Sequence, residues 1–127
     1  AFLNDRRLRV AARSSLADSI IGTGMPFLGH GDHGRYLREL ASIMPAVAGI
    51  RRNGAAALDL AYVASGRFDG FWERGLSAWD MAAGLLLIRE AGGFATDLDG
   101  GDLILDSGQI VAGNEAIHRQ LMTLLKS

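Results

Sequence analysis

Asp80 is the residue of this sequence whose surroundings most clearly suggest chemistry. It lies three residues after Ser77, in the first turn of a predicted helix. This spacing is typical of a capping box, in which an acidic side chain accepts hydrogen bonds at the helix N-terminus. A carboxylate is also a hard oxygen ligand of the kind that magnesium prefers. The residues alone leave two roles open for Asp80, a helix cap and a metal ligand.

Glu73 is a second carboxylate, placed at the end of the aromatic-rich segment RFDGFWE (67–73). The carboxyl end of a strand and the start of the next helix meet at one edge of an α/β sheet. We therefore expect Glu73 and Asp80 to face one cleft. Without further information, Glu73 also fits an exposed strand end that has no functional role.

A run of small residues, Gly54-Ala55-Ala56-Ala57, is the third place where a ligand could bind. It opens a predicted helix, so free backbone N–H groups would be accessible to an anionic or hydroxylated ligand. Alanine-rich first turns also occur for helix propensity and close packing alone. Asp59 follows one turn later, and we expect a carboxylate hydrogen-bonded within the fold, because burying it unpaired would be costly. Arg51 and Arg52 could neutralise Asp59 or attract a phosphate.

Two polar loops are poor candidates for metal sites. The loop GHGDHG (29–34) offers His30, Asp32 and His33, but it lacks a third strong ligand at a recognised spacing. We predict an exposed loop there. The acidic turn 97–102 resembles a calcium-binding loop only in its acidity, because the distal glutamate is missing from the required position.

Composition excludes several classes of function. The chain has 127 residues, 49% of them hydrophobic, which predicts one globular domain over 1–127. A net charge of -1 without a dense basic run predicts no binding to nucleic acid. The absence of cysteine excludes disulfides and thiolate metal sites. No signal peptide is visible, and no apolar run reaches the roughly 20 residues of a membrane span, so we expect a soluble, cytoplasmic protein with no membrane association.

Hydrophobic periodicity predicts alternating strands and helices, and therefore an α/β layered unit with helices packed on a mostly parallel or mixed sheet. The helix around Asp80 begins at the Ser77 cap and ends at Gly92-Gly93, and its apolar run 81–88 predicts a helix covered on every side. Strands are expected within 2–10 (two strands and a turn) and over 19–24, 49–52, 67–73, 94–96 and 109–112, and helices over 34–47, 55–65, 77–93 and 115–125.

The segment WDMAAGLLLIREAGG (79–93) resembles the second signature of the inositol monophosphatase family, WDxAAGxxxxxEAGG. The resemblance extends to the regions 1–10, 54–80 and 110–118, and so to nearly the whole chain. It covers only the second half of the family. The family's first signature, DPxDGT, and the upstream glutamate that shares its metals do not occur in this sequence. Together with a start at Ala1 rather than methionine, this predicts a fragment that opens within a hairpin.

The resemblance implies the C-terminal half of an αβαβα sugar-phosphatase fold. It implies that the full-length parent hydrolyses inositol monophosphate, or a related sugar or polyol phosphate ester, with Mg²⁺ as cofactor and as a homodimer. Asp80 would be this half's one metal ligand, and Glu73, Gly54, Ala55 and Ala56 would bind the substrate alcohol. Ala55 replaces a hydroxyl residue of the family, which removes one possible hydrogen bond to the substrate. The fragment alone is expected to be inactive.

Two alternatives stay open at this stage. The parent could be another phosphatase of the superfamily, acting on histidinol phosphate, fructose bisphosphate or a nucleotide bisphosphate. It could also be a non-catalytic module that uses this fold to bind a protein partner.

Overall fold

The computed structural model describes residues 2–3, 6–24 and 32–126, with side chains described from residue 8 onward. Seven strands and five α-helices alternate along this part of the chain. The strands are β1 (Phe2–Leu3), β2 (Arg6–Arg7), β3 (Ile20–Thr23), β4 (Gly49–Arg51), β5 (Gly70–Glu73), β6 (Phe94–Thr96) and β7 (Ile110–Gly113). The helices are α1 (His33–Ile43), α2 (Ala56–Ala64), α3 (Ala78–Glu90), α4 (Ile104–Ser107) and α5 (Glu115–Lys126).

The main sheet is mixed and has the strand order β4-β3-β5-β7-β6. β3 runs parallel to both β4 and β5, whereas β7 runs antiparallel to β5 and β6. The carboxyl ends of the three parallel strands therefore lie at one edge of the sheet. This arrangement confirms the predicted α/β class with a mixed sheet.

Helices cover both faces of the sheet because residues alternate in direction along each strand. On β5, Phe71 packs into a core formed with α2 and α3, and the next residue, Trp72, packs into a second core formed with α1 and α5. β7 behaves in the same way, with Ala112 on the first side and Val111 on the second. The described chain therefore has three layers, with two helical layers around one sheet.

The N-terminal strands form a separate antiparallel pair, with Phe2 opposite Arg7. This confirms the predicted hairpin, although the second strand is Arg6–Arg7 rather than the apolar residues that follow it. The connector to β3 is held by Asp69, which is almost fully buried and accepts hydrogen bonds from Arg13 (3.1 Å) and from the backbone N–H of Ile20 (2.8 Å).

Two short helical elements were not predicted. A 3₁₀ turn covers Leu16–Asp18, and α4 lies between the acidic turn and β7. Both are too short to produce a periodic pattern over several turns, which is the signal that identifies a helix in a sequence.

The prediction that α3 is covered on every side is wrong for the described chain. Met81, Leu85 and Ile88 are buried against α2 and the sheet, but Leu86 is 59% exposed and Trp79 is 93% exposed. Ala82 and Ala83 are exposed as well. The helix therefore presents an outer apolar face, formed by Trp79, Ala82, Ala83 and Leu86, that no described part of the chain covers.

No helix in the described ranges is both long and apolar enough to cross a membrane.

Candidate active site

The starts of α2 and α3 form the candidate site. α2 follows β4 and α3 follows β5, so both helices begin at the edge where the parallel strands end. The two helices pack directly on each other, and a Cβ atom added to Gly84 of α3 would lie 2.6 Å from Cβ of Leu60 on α2. Only glycine allows so close an approach. The close packing holds the two helix N-termini beside each other.

Asp80 has the geometry of a helix cap with one oxygen left over. Its Oδ2 accepts hydrogen bonds from the hydroxyl of Ser77 at 2.8 Å and from the backbone N–H of Ser77 at 3.4 Å. The predicted capping box is therefore present. Among the residues that the structure describes, none donates a hydrogen bond to Oδ1. The exposed carboxylate can cap α3 and still offer a free oxygen to a cation, so the two roles are compatible.

Glu73 lies at the end of β5 and is partly buried. No residue in the described ranges donates a hydrogen bond to its carboxylate. Burial, together with the negative charges of Asp59 and Asp80, raises the pKa of Glu73 to about 7, and the positive charge of Arg52 opposes this shift. The carboxylate therefore has hydrogen-bonding capacity that the described chain does not use, which suits it to receive hydroxyl groups of a ligand.

The turn before α2 is open, as the sequence predicts. Gly54 has a φ of +77°, and a Cβ atom at this position would meet nothing within 4 Å. Ala55 is the N-cap of α2, and no side chain caps the helix. The first backbone N–H groups of α2 are therefore accessible, and Gly54, Ala55 and Ala56 line the approach to them.

Asp59 is a carboxylate hydrogen-bonded within the fold, as the sequence predicts. It is 1% exposed and accepts a hydrogen bond of 2.8 Å from Nδ2 of Asn53. Burial raises its pKa, and the bond from Asn53 opposes that shift. The sequence left Arg51 and Arg52 as possible partners. The structure pairs Asp59 with neither arginine. Nη1 of Arg51 donates to the backbone oxygen of Ile50, and the positive charge of Arg52 lowers the pKa of Glu73.

The site does not contain a complete set of metal ligands. No three His, Asp or Glu residues of the described ranges come close enough together to hold a metal ion. Asp80 fits the requirement for one oxygen ligand, and any further ligands would have to come from outside the described chain. In the loop 29–34, Asp32 caps α1 by accepting from the backbone N–H of Arg35 at 2.9 Å, and His33 is exposed. His30 lies outside the described residues.

Asn53 belongs to the candidate site but was not assigned to it from the sequence, and Arg52 was considered there only as a partner of Asp59 or of a phosphate. Nδ2 of Asn53 donates a hydrogen bond to Asp59 and so links the turn to α2, and the positive charge of Arg52 lowers the pKa of Glu73. A lone Asn or Arg at the end of a predicted strand has no recognised spacing to a partner. The sequence therefore provides no signal for the role of Asn53, and none for the effect of Arg52 on Glu73 until the strand order is known.

Three comparisons with known proteins agree with this arrangement. The model of the inositol monophosphatase family matches residues 1–127. The chain is 66% identical to an inositol-1-monophosphatase from Mesorhizobium japonicum, over 99% of this chain and 47% of that relative. It is 52% identical to a Nus factor SuhB from Pseudomonas aeruginosa, again over 99% of this chain and 47% of the relative.

A solved structure has the same fold. The crystal structure of extragenic suppressor protein suhB from Bartonella henselae superimposes with a TM-score of 0.96 at 59% identity, covering 99% of this chain and 49% of that chain. The chain thus spans about half the length of the relatives that it matches. It belongs to the inositol monophosphatase family.

Proposed function

We propose that the protein of which this chain forms the second half is a magnesium-dependent phosphatase. Its substrate would be inositol monophosphate or a related sugar or polyol phosphate monoester. One observation carries the proposal: in a chain of the inositol monophosphatase family, a free carboxylate oxygen, an unpaired carboxylate and an open helix N-terminus lie at one sheet edge. The chain would supply one metal ligand and the pocket for the alcohol.

Each residue has a role that its surroundings support. Oδ1 of Asp80 would bind a divalent cation while Oδ2 keeps its bonds to Ser77. When bound, magnesium ions would orient the phosphate, lower the pKa of water and neutralise charge on the leaving oxygen. Glu73 would accept hydrogen bonds from hydroxyls of the alcohol. The backbone at Gly54, Ala55 and Ala56 would position the same alcohol from the other helix.

The exposed apolar face of α3 supports the assignment to a longer protein. Trp79 at 93% and Leu86 at 59% exposure would be stabilised by burial, at about 25 cal/mol per Å². We infer that this face packs against the other half of the complete protein, which would also bring the missing metal ligands to Asp80. The homodimer is a separate proposal, which size-exclusion chromatography with light scattering of the complete protein would test.

The test uses a chimera in which this chain replaces the corresponding half of the Mesorhizobium japonicum relative. Phosphate release is measured against magnesium concentration with inositol monophosphate, histidinol phosphate, fructose bisphosphate, a nucleotide bisphosphate and an aryl phosphate. We expect the chimera to prefer inositol monophosphate and to require magnesium. The chain alone should retain less than about 1% of that turnover, because a single carboxylate cannot fix the geometry of several ions.

Two outcomes would contradict the proposal. Turnover by the isolated chain equal to that of the chimera would place a complete site within this half. Preference for one of the other esters would move the function to another phosphatase of the superfamily.

A second candidate is a binding role that does not need catalysis. The name of the Pseudomonas aeruginosa relative, a Nus factor, favours it. The two functions separate in a strain that lacks its own copy of the complete gene. If a copy with Asp80→Asn restores the wild-type phenotype while its product releases no phosphate, the non-catalytic role is the one that the cell requires.

A further inference from the structure

Gly24 lies directly against the carboxylate of Glu73. A Cβ atom added to Gly24 would overlap Oε1, Cδ and Oε2 of Glu73, and these are its three nearest neighbours. The space that a side chain would occupy at position 24 is thus filled by the carboxylate. Neither the sequence motifs nor the family resemblance assigned a role to Gly24.

The pairing of the strands explains this contact. In the parallel register Thr23 of β3 is the partner of Trp72 of β5, so the residues that follow, Gly24 and Glu73, lie side by side. Thr23 is 1% exposed, and its hydroxyl donates to the backbone oxygen of Trp72 at 3.1 Å and lies 3.3 Å from the hydroxyl of Tyr36. The backbone before Gly24 is therefore held firmly.

It follows that a side chain at position 24 would be accommodated by movement of Glu73. The overlap involves the far end of a flexible glutamate side chain, which can rotate to another rotamer at low cost. The backbone next to Gly24 cannot move aside as easily, because the hydroxyl of Thr23 donates a hydrogen bond to the backbone oxygen of Trp72 on β5. The absence of a side chain at residue 24 thus determines where the carboxylate of residue 73 stands.

We propose that Gly24 is a positioning residue for alcohol specificity, because its bare Cα leaves free the space in which the Glu73 carboxylate lies. This inference rests on the proposed function. It adds the residue that follows β3 to a site otherwise built from the end of β5 and the starts of α2 and α3. The expected consequence is that Gly24 can be altered with little loss of stability but with a loss of discrimination.

The experiment compares glycine-to-alanine variants in the chimera. Discrimination is the ratio of kcat/KM for inositol monophosphate to kcat/KM for an aryl phosphate that lacks the hydroxyls. Gly24→Ala should lower this ratio about tenfold or more, the size expected for a lost hydrogen bond to a charged group, and leave the aryl phosphate rate nearly unchanged. The thermal midpoint should remain close to that of the wild type.

Two matched controls separate position from general damage. Gly22→Ala lies within β3, two residues before Gly24, but its methyl group would lie 2.8 Å from the Phe68 ring, so it should lower the thermal midpoint and keep the discrimination. Gly34→Ala in α1 has room, with its nearest neighbour at 3.5 Å, and should change neither quantity.

A double-mutant cycle tests whether Gly24 acts through Glu73. Glu73→Ala removes the carboxylate that a methyl group at residue 24 would displace. Adding Gly24→Ala to Glu73→Ala should therefore produce no further change in discrimination. If Gly24→Ala does not fold in the wild-type background, Glu73 does not move aside at low cost, and the inference is overturned.

The failures of the two proposals can be told apart. If the unaltered chimera does not prefer inositol monophosphate, the proposed function fails. If the chimera shows the preference and Glu73→Ala abolishes it, but Gly24→Ala preserves it, only the role of Gly24 is overturned. A loss of discrimination by Gly24→Ala that persists in the Glu73→Ala background would also overturn it.

Discussion

The acidic turn after β6 and the sheet edge at Asp80 are both rich in carboxylates, but they use them differently. In the turn, Asp97 is 3% exposed and accepts three backbone hydrogen bonds, from Asp99 and Gly101 at 2.9 Å and from Leu103 at 3.2 Å. These bonds outweigh the effect of burial and lower the pKa of Asp97. At the sheet edge, no described residue donates to Glu73, and its pKa is raised to about 7.

The difference distinguishes a carboxylate that stabilises the fold from one that is available to a ligand. A carboxylate whose oxygens are occupied by backbone N–H groups stabilises a loop and has no free position for a ligand. A carboxylate that is partly buried, close to other negative charges and without donors is unfavourable in the isolated chain and is improved by a cation or a hydroxyl ligand. The number of acidic residues therefore does not distinguish the candidate site from the acidic turn, whereas the absence of hydrogen-bond donors to Glu73 among the described residues does.

The largest effect should come from Asp80→Asn in the chimera. The amide keeps an oxygen for the helix cap but lacks the negative charge that a hard cation requires. We expect turnover to fall about 100-fold or more and the magnesium requirement to rise, with a change in unfolding free energy below about 1 kcal/mol. Magnesium titration of phosphate release and thermal unfolding without metal measure the two effects.

Ser77→Ala is the matched control for Asp80. It removes the hydroxyl that donates to Oδ2 of Asp80 at 2.8 Å but leaves the carboxylate in place. We expect it to cost about 0.5–2 kcal/mol of stability and to retain most of the turnover. Near-normal turnover by a folded Asp80→Asn variant would return Asp80 to the role of a helix cap alone.

Asp97→Asn should show the opposite behaviour, with a loss of stability and no loss of chemistry. Asparagine replaces one carboxylate oxygen by a donor, which then faces another donor in the turn. We expect a loss of about 1–3 kcal/mol in urea unfolding at neutral pH. The exposed neighbour Asp99 provides the control, because Asp99→Asn removes a charge of the same turn without removing an acceptor of these backbone bonds.

The pH dependence of the Asp97 contribution has a definite sign. Because its folded pKa lies below the ordinary value of 3.8, the stabilisation is present above that value and is lost as the pH falls through the folded pKa. The penalty of Asp97→Asn should therefore shrink in strongly acidic solution. A penalty that is independent of pH would show that the backbone bonds do not favour the charged form.

The smallest effect on the free energy of unfolding should come from Glu73, and its dependence on pH should have the opposite sign to that of Asp97. Its pKa rises from an ordinary 4.5 to about 7 in the folded chain, so its contribution to stability is present below 4.5 and is lost as the pH rises through about 7. Without metal, Glu73→Gln should match the wild type near pH 4.5 and be more stable at about pH 8. The difference, allowing for solvent screening, should be on the order of 1–2 kcal/mol. A stability difference that does not grow with pH would contradict the raised pKa.

Much of the fold could be predicted because its signals are local. The Ser77 cap, the Gly92-Gly93 stop and the apolar periodicity located α3, and alternation with turn residues located the five strands of the main sheet. The outer face of α3 was misjudged for a physical reason. An apolar helix surface indicates burial but does not say whether the covering partner lies in the same stretch of chain.

The site was predictable where neighbours in sequence are neighbours in space. Asp80 and Glu73 are joined by one short loop, and the expectation that they face the same edge agrees with the charge of Asp80 acting on Glu73. The effect of Arg52 on Glu73 and the contact of Gly24 with Glu73 were missed because they depend on strand order and register. The bond from Asn53 to Asp59 is local, and it was missed because an Asn six residues before an Asp has no recognised spacing. Gly24 in particular has no side chain to suggest chemistry. Its position beside β5 shows that the missing side chain leaves space for the Glu73 carboxylate.

The contact between Gly84 and Leu60 has a mechanical consequence. Because Gly84 brings the backbone of α3 directly against the side chain of Leu60 on α2, there is little room for the turn at Ala55 and the carboxylate of Asp80 to shift relative to each other. In the proposed enzyme, this packing would fix the distance between the turn that binds the alcohol and the carboxylate that binds the metal at the phosphate end of the ester. A substrate would then be selected by its length as well as by its hydroxyl groups. A methyl group at residue 84 would push the two helices apart and increase that distance.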